Sequence, residues 1–408
     1  MKKLVLLLMI LSLLITTACW DMIDIEKRAY VLGVAIDLYP PNPKGREGDK
    51  SEARQEEEIP LEKTGLHNGR PEYALTVQIP ILQKAQSSSF SGGGGDPESD
   101  ATWQITQIGN SFISMNLEMA TRTNLIPYYE HLQAIILSED VARAGLKNVI
   151  DFFVRDPEMG RRVNIYVSHG EAKKVLDVNP RTEDYSSIYL SQIHRNTRKT
   201  SRMVEKAGLN KMLNNIDLGL DFILPAIQST KDEIKSNGAA IFKKDKMVGW
   251  LDELELEAVK FILNRYNKGL ITVTSSAMDN AIIALDIGKS KTKIKTSIEN
   301  DLPRFDIDIE VSGSYAENTR VYTQGDQDID LHKTLEKDFE KEIVSLCENT
   351  IKKMQEEYGV DIFEFKQLLR TREPAYWKEV KNKWEDLYPK IIVKVKARVK
   401  IDLIGLTS

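Results

Sequence analysis

Apolar positions recur along this chain with two periods, near two and near 3.6 residues, and the changes between them mark its elements. Leu4–Ile15 is an apolar run broken only by Ser12. Arg28–Leu38 and Glu72–Leu82 are β-branched and apolar, which predicts two strands that pair with each other. Ile105, Ile108, Phe112, Met115 and Met119 recur at spacings of three and four, which predicts one helix across them. His131–Leu137 predicts a buried strand. Ser138 then stands where an N-cap belongs, with Glu139 and Asp140 in the first turn. The helix it opens would bury Val141, Leu146, Val149, Ile150 and Phe153 and stop at Arg155-Asp156-Pro157. Arg162–Ser168 predicts a strand and Gly170–Leu176 a short helix. Thr182–Met203 predicts a polar connecting helix that carries the basic run HRNTRKTSR.

Leu220–Ile227 predicts a strand that Pro225 places at a sheet edge. Gly238–Phe242 and Met247–Leu251 form a hairpin with Lys243–Lys246 at its tip. Glu253–Tyr266 predicts a helix burying Leu254, Ala258, Phe261 and Ile262.

The C-terminal third is patterned most clearly. Gly269–Ala277, Ala281–Lys289, Lys291–Glu299 and Arg304–Tyr315 read as successive antiparallel strands. In the fourth, Phe305, Ile307, Ile309 and Val311 face one side, and Asp306, Asp308 and Glu310 the other. Asp330–Tyr358 predicts a helix roughly 40 Å long at 1.5 Å per residue. Its stripe is Leu331, Leu335, Phe339, Ile343, Leu346, Cys347, Ile351 and Met354, and Gly359 closes it. Phe363–Leu369 and Pro374–Leu387 predict two shorter helices. The last strand, Lys390–Ile404, points Ile391, Val393, Val395, Ala397, Val399, Ile401 and Leu403 one way. Lys394, Lys396, Arg398 and Lys400 point the other way. That basic side is expected to share a solvent face with Asp306, Asp308 and Glu310, so that opposite charges help set register. The rival expectation is that the lysine row meets anionic lipid.

These elements give a mixed α/β, or α+β, fold in three domains. An N-terminal α/β domain spans 28–202, a small ββα-type middle domain 203–267, and an antiparallel β-meander packed with a long helix 268–408. Polar stretches at 40–71 and 86–100 read as flexible insertions. Hydrophobic residues make up 41% of the chain, enough for ordinary cores, and a formal charge of −5 leaves no electrostatic footprint for nucleic acid.

Candidate chemistry is sparse. His67, His131, His169, His194 and His332 are scattered, with no second His or Cys at zinc-ligand spacing. There is no G-x-S-x-G and no P-loop, and Gly92–Gly95 reads as linker. No catalytic residue, metal ligand or cofactor is expected. Cys347, on the helix stripe, reads as a small core residue.

The start of the chain has its own signature. Lys2 and Lys3, the Leu4–Ile15 run and the small residues Thr16–Ala18 have the layout of a secretory signal peptide over 1–18. The run is too short to cross a bilayer, which takes about 20 apolar residues. Cys19 follows directly, as in a bacterial lipobox, although Thr16 stands where Leu is usual. Cys19 is expected to carry S-diacylglycerol and an N-acyl chain, with 19–27 as a tether, because two chains or more anchor stably. Losing Lys2 and Lys3 takes the formal charge from −5 to −7. With Cys19 acylated, Cys347 has no partner for an intrachain disulfide.

HLQAIILSEDVARAGLKNVIDFFVRDPEMGRR (131–162) and GAAIFKKDKMVGWLD (238–252) resemble segments of the Ger(x)C spore germination lipoproteins. The Cys19-Trp20-Asp21 start and the long helix before a Lys-rich last strand also fit, so the resemblance spans nearly all of the chain beyond Cys19. It implies three mixed α/β domains and a lipid-anchored C subunit of a nutrient germinant receptor, needed for germination in response to nutrients. It implies Cys19 as the lipidated residue, on the outer face of the spore inner membrane, and integral-membrane A and B subunits as partners. It implies no enzymatic activity and no nutrient binding by this subunit. The alternative is a solute-binding lipoprotein of a membrane transporter, which would show two similar lobes about a cleft.

Overall fold

The computed structural model describes residues 27–40, 71–81, 102–156, 158–275, 280–318 and 329–402. The expected leader, Cys19 and, apart from Pro40 and Pro71, both expected insertions lie outside the described residues.

β1 (Arg28–Tyr30) pairs in parallel with β5 (Ile126–Tyr128) as a small ribbon. Eight strands form one mixed sheet, in the spatial order β10 (Lys246–Leu251), β9 (Ile234–Lys243), β8 (Phe222–Ser229), β7 (Asn164–Ser168), β6 (Ala134–Ser138), β2 (Gly33–Tyr39), β3 (Glu72–Pro80) and β4 (Thr102–Gly109). The four central strands are parallel, and the outer pairs add antiparallel. β6 and β7 are buried along their whole length, as parallel strands covered on both faces must be.

On one face, α1 (Phe112–Met119), α2 (Glu139–Ala144) and α3 (Lys147–Arg155) close a core around Met115, Val141 and Phe152. On the other, α4 (Lys173–Leu176) and α5 (Ser186–Ile193) pack Val175 and Leu190 over Ile136 and Tyr166. α6 (Leu209–Asp217) returns to the first face with Met212.

β9 is shared between two cores. Ala240 and Phe242 belong to the first, and Ala239 and Ile241 point into another, as period two requires. That second large core lies under α7 (Glu253–Ile262) and a four-stranded sheet of β11 (Gly269–Ser275), β12 (Ala281–Glu299), β13 (Leu302–Asn318) and β14 (Ile392–Ile401). α8 (Ile329–Lys353) lays Leu335, Phe339, Ile343, Cys347 and Ile351 on it. Gly359, at φ 59°, closes the turn that follows, with its N–H bonded to the Met354 carbonyl. α9 (Phe365–Arg372), α10 (Pro374–Val380) and α11 (Trp384–Leu387) complete the cover.

The mixed α+β class stands, with several local corrections. The helix expected over 105–119 is strand β4 followed by α1. Ile105 and Ile108 pair against β3, and Ser111 caps a helix that starts only at Phe112. The helix after Ser138 is two helices, broken at Gly145, whose φ of 117° no helix accepts. The polar helix over 182–203 is α5 and a 3-10 turn, His194–Arg198. β8 is an interior strand. Pro225 is tolerated there because the register with β9 shifts between Pro225 and Ile227. Leu254 is exposed, and α7 buries Leu256, Val259 and Ile262 beside Ala258 and Phe261. Ala281–Glu299 is one strand whose ladder shifts register around Gly288 without ending. β14 joins in parallel with β13, because α8 to α11 carry the chain back across the sheet before it enters. The sheet also runs through the boundary placed at 202/203, since β8 bonds to β7.

Candidate functional site

The outer face of the C-terminal sheet carries the expected charge ladder. β13 lies between β12 and β14. Asp306 stands opposite Lys295 and Lys394, Asp308 opposite Lys293 and Lys396, and Glu310 opposite Lys291 and Arg398. Arg398 lies 4.0 Å from Glu310. Arg304 lies 2.8 Å from Asp306, and its hydrogen bonds hold that carboxyl below the usual range.

The two large cores meet along a seam of polar contacts. Asp221 accepts the Lys244 N–H at 3.2 Å and the Asp361 N–H at 3.0 Å. The Asp361 carboxylate accepts the N–H groups of Phe365 and Lys366 at 3.1 and 2.7 Å, at the start of α9. Burial pushes Asp361 up to about 7 and raises Asp221 too. Lys244 pairs with Glu385 at 2.6 Å, and Lys353 with Glu255 at 2.6 Å. Asp252 and Glu255 form a reciprocal capping box that opens α7.

α7 also buries two charges. Glu257 is 1% exposed and meets Arg202 at 3.4 Å. Lys260 donates to the Met203 carbonyl at 2.6 Å, and burial lowers its pKa. The basic run is thus partly folded into the molecule, because Arg202 is its last residue and Ser201 before it donates to the Lys268 carbonyl at 2.9 Å. A cavity of about 70 Å³ lies beside Lys260, lined by Met212, Phe222, Leu256 and Val259. That is small against the ~300–1,000 Å³ of typical ligand pockets.

The histidines remain apart. His131 sits beside Tyr30 and Tyr128, and His332 Nδ1 lies 2.9 Å from the Tyr315 hydroxyl. His169 stacks on Trp250 with ring centres 3.7 Å apart, and burial lowers its pKa. Burial also lowers His194. His67 lies outside the described residues. Among the described residues, no group of three or more His, Cys, Asp or Glu could hold a metal ion. Cys347 is fully buried, and burial pushes its thiol up. No described helix is long and apolar enough to cross a membrane. The arrangement offers surfaces and a braced seam. Asp221, Asp361 and Glu257 went unnoticed in the sequence. Glu257 alone left a trace there, since it falls among the apolar residues of α7.

Comparison with known proteins accords with this architecture. A family model described as "Spore germination protein N-terminal domain" matches residues 21–229. Another, "Spore germination B3/ GerAC like, C-terminal", matches 237–405. The chain is similar to spore germination protein YndF of Bacillus subtilis (strain 168), at 28% identity over 97% of this chain and 95% of that one. It is similar to spore germination protein B3 of the same organism at 25% identity over 96% of each chain. Spore germination protein A3, also of that organism, is 22% identical over 95% of this chain and 93% of its own. Among solved structures it is similar to the GerBC protein, with a TM-score of 0.57 and 23% identity over 82% of this chain and 94% of that one. The two family matches meet in the β8–β9 hairpin, so the C-terminal segment lends β9 and β10 to the N-terminal sheet. Matched from residue 21 to residue 405 with only that hairpin between the two segments, the chain belongs to the GerAC-like family of spore germination proteins.

Proposed function

We propose that the protein is the lipid-anchored, non-catalytic C subunit of a nutrient germinant receptor. The observation that carries this reading is the near full-length match to spore germination proteins B3 and A3 together with both family segments. On this reading residues 1–18 are removed and Cys19 carries the acyl chains. The chain then sits on the outer face of the spore inner membrane beside integral-membrane A and B subunits. Tethering makes its encounter with them effectively intramolecular, at raised local concentration.

Replacing Cys19 with Ala in spores tests it, with nutrient germination and membrane retention scored together. Loss of both, with the protein still accumulating, is expected. Unchanged germination by a chain released from the membrane would overturn the tether.

A further inference from the structure

The charge ladder is unbalanced. On its solvent side β12 presents Lys289, Lys291, Lys293 and Lys295, and β14 presents Lys394, Lys396, Arg398 and Lys400. All eight are exposed. Between them β13 supplies three carboxylates, Asp306, Asp308 and Glu310. One opposing basic row would satisfy those three and set the register. Lys400 also lies 3.9 Å from Asp402, and most of the second row is surplus, on a chain whose formal charge is −5.

The surplus is also concentrated. Neighbouring strands lie about 4.8 Å apart, and same-side residues about 6.8 Å apart along a strand, so the eight cations share a patch on the order of 10 by 20 Å. Their fields overlap across the ~8 Å Debye length of physiological salt. At one end, Lys289, Lys291, Arg398 and Lys400 line an open concavity with Ser312 and Glu310 as its other polar residues.

We propose that this basic face lies against the anionic lipid headgroups of the membrane that holds the protein. The inference rests on the membrane attachment proposed above. The composition of the face favours lipid over a protein partner. Protein-facing patches are enriched in Tyr, Trp and Phe and depleted in Lys. Here the alternating positions of the three strands carry seven lysines and one arginine on β12 and β14, and no aromatic side chain. Lysine is a point charge on a flexible stem, which suits a fluid array of headgroups better than one fixed partner. Each cation held near an anionic surface strengthens attachment about fivefold. The tether would hold the chain at the membrane, and this face would set which side of the C-terminal sheet looks down.

Footprinting of the full chain tests the proposal. The chain is reconstituted on vesicles of phosphatidylcholine, alone or with about one-third phosphatidylglycerol, an anionic lipid. A membrane-impermeant acylating reagent then labels its lysines. Labelling of Lys291, Lys293, Lys394 and Lys396 is expected to fall severalfold on the anionic vesicles and to recover in high salt. Lys147 and Lys211, exposed on the N-terminal side, serve as controls and are expected to stay constant. Equal labelling of the four lysines on both vesicle types would overturn the proposal. Protection in native spore membranes but not on anionic vesicles would overturn it too, and would assign the face to an acidic protein. A chain that stays with neither vesicle would sink the membrane reading itself, and this inference with it.

Discussion

The ring of Tyr358 lies against the backbone of Gly249 and leaves no room for a side chain there. Gly249 is on β10, and Tyr358 ends the turn after α8, so this contact joins the N-terminal sheet to the C-terminal core.

Gly249→Ala is therefore expected to destabilise the protein by about 1–3 kcal/mol, the usual cost of overpacking. Tyr358→Ala in the same chain should recover part of that loss, because the two sites share one space. Urea denaturation of the single and double variants gives the coupling. A Gly249→Ala chain as stable as the parent would mean that the ring swings aside freely.

Arg202 is the partner of the buried Glu257 carboxylate. Breaking a fully buried pair costs about 3–5 kcal/mol, but Arg202 is partly exposed, so Arg202→Ala is expected to cost about 1–2 kcal/mol. Adding Glu257→Gln removes the stranded charge and should restore much of the stability. If the double variant is no more stable than Arg202→Ala, the pair is not coupled.

Stability should fall as pH rises from about 4 to about 7. Burial raises Asp37 to about 6 and Asp361 to about 7, and it also raises Asp221 and Glu257. In the unfolded chain these carboxyls ionise near their ordinary values. Across that window the folded state therefore holds protons that the unfolded state has lost, and ionisation at higher pH favours unfolding. Melting curves at pH 5 and pH 7.5 check the sign, and Asp361→Asn should flatten the slope. A protein more stable at pH 7.5 would show that the exposed, paired carboxylates dominate instead.

Asp308 faces a lysine on each side. Asp308→Lys sets three like charges in a row and is expected to cost about 1 kcal/mol. Lys396→Asp in the same chain should return most of it. Thermal melts of the two variants decide whether the ladder acts on stability or only decorates the surface.

Much of the C-terminal half was legible because strict alternation in Phe305–Val311 and Ile391–Ile401 leaves one consistent register. The charge ladder followed from the same alternation. The direction of β14 did not, since a strand's pattern reads alike in either direction and α8 to α11 decide it. Ile105 and Ile108 misled because a spacing of three suits a helix, while pairing with β3 decided for a strand. Pro225 suggested an edge because the shift in register that accommodates it is a property of two strands together. The Asp221–Asp361 contact joins residues 140 apart and left no periodic trace. The expectation at Cys19 rests on its local context alone, and that residue lies outside the described ones.

The sharing of β9 sets how the molecule carries load. Its alternate residues wall two cores, so neither stays closed once the strand is pulled free. A partner that gripped the C-terminal sheet and twisted it would turn the N-terminal sheet as well, because β9 belongs to both cores. That strand works as the axle, and torque applied to either half arrives at the other.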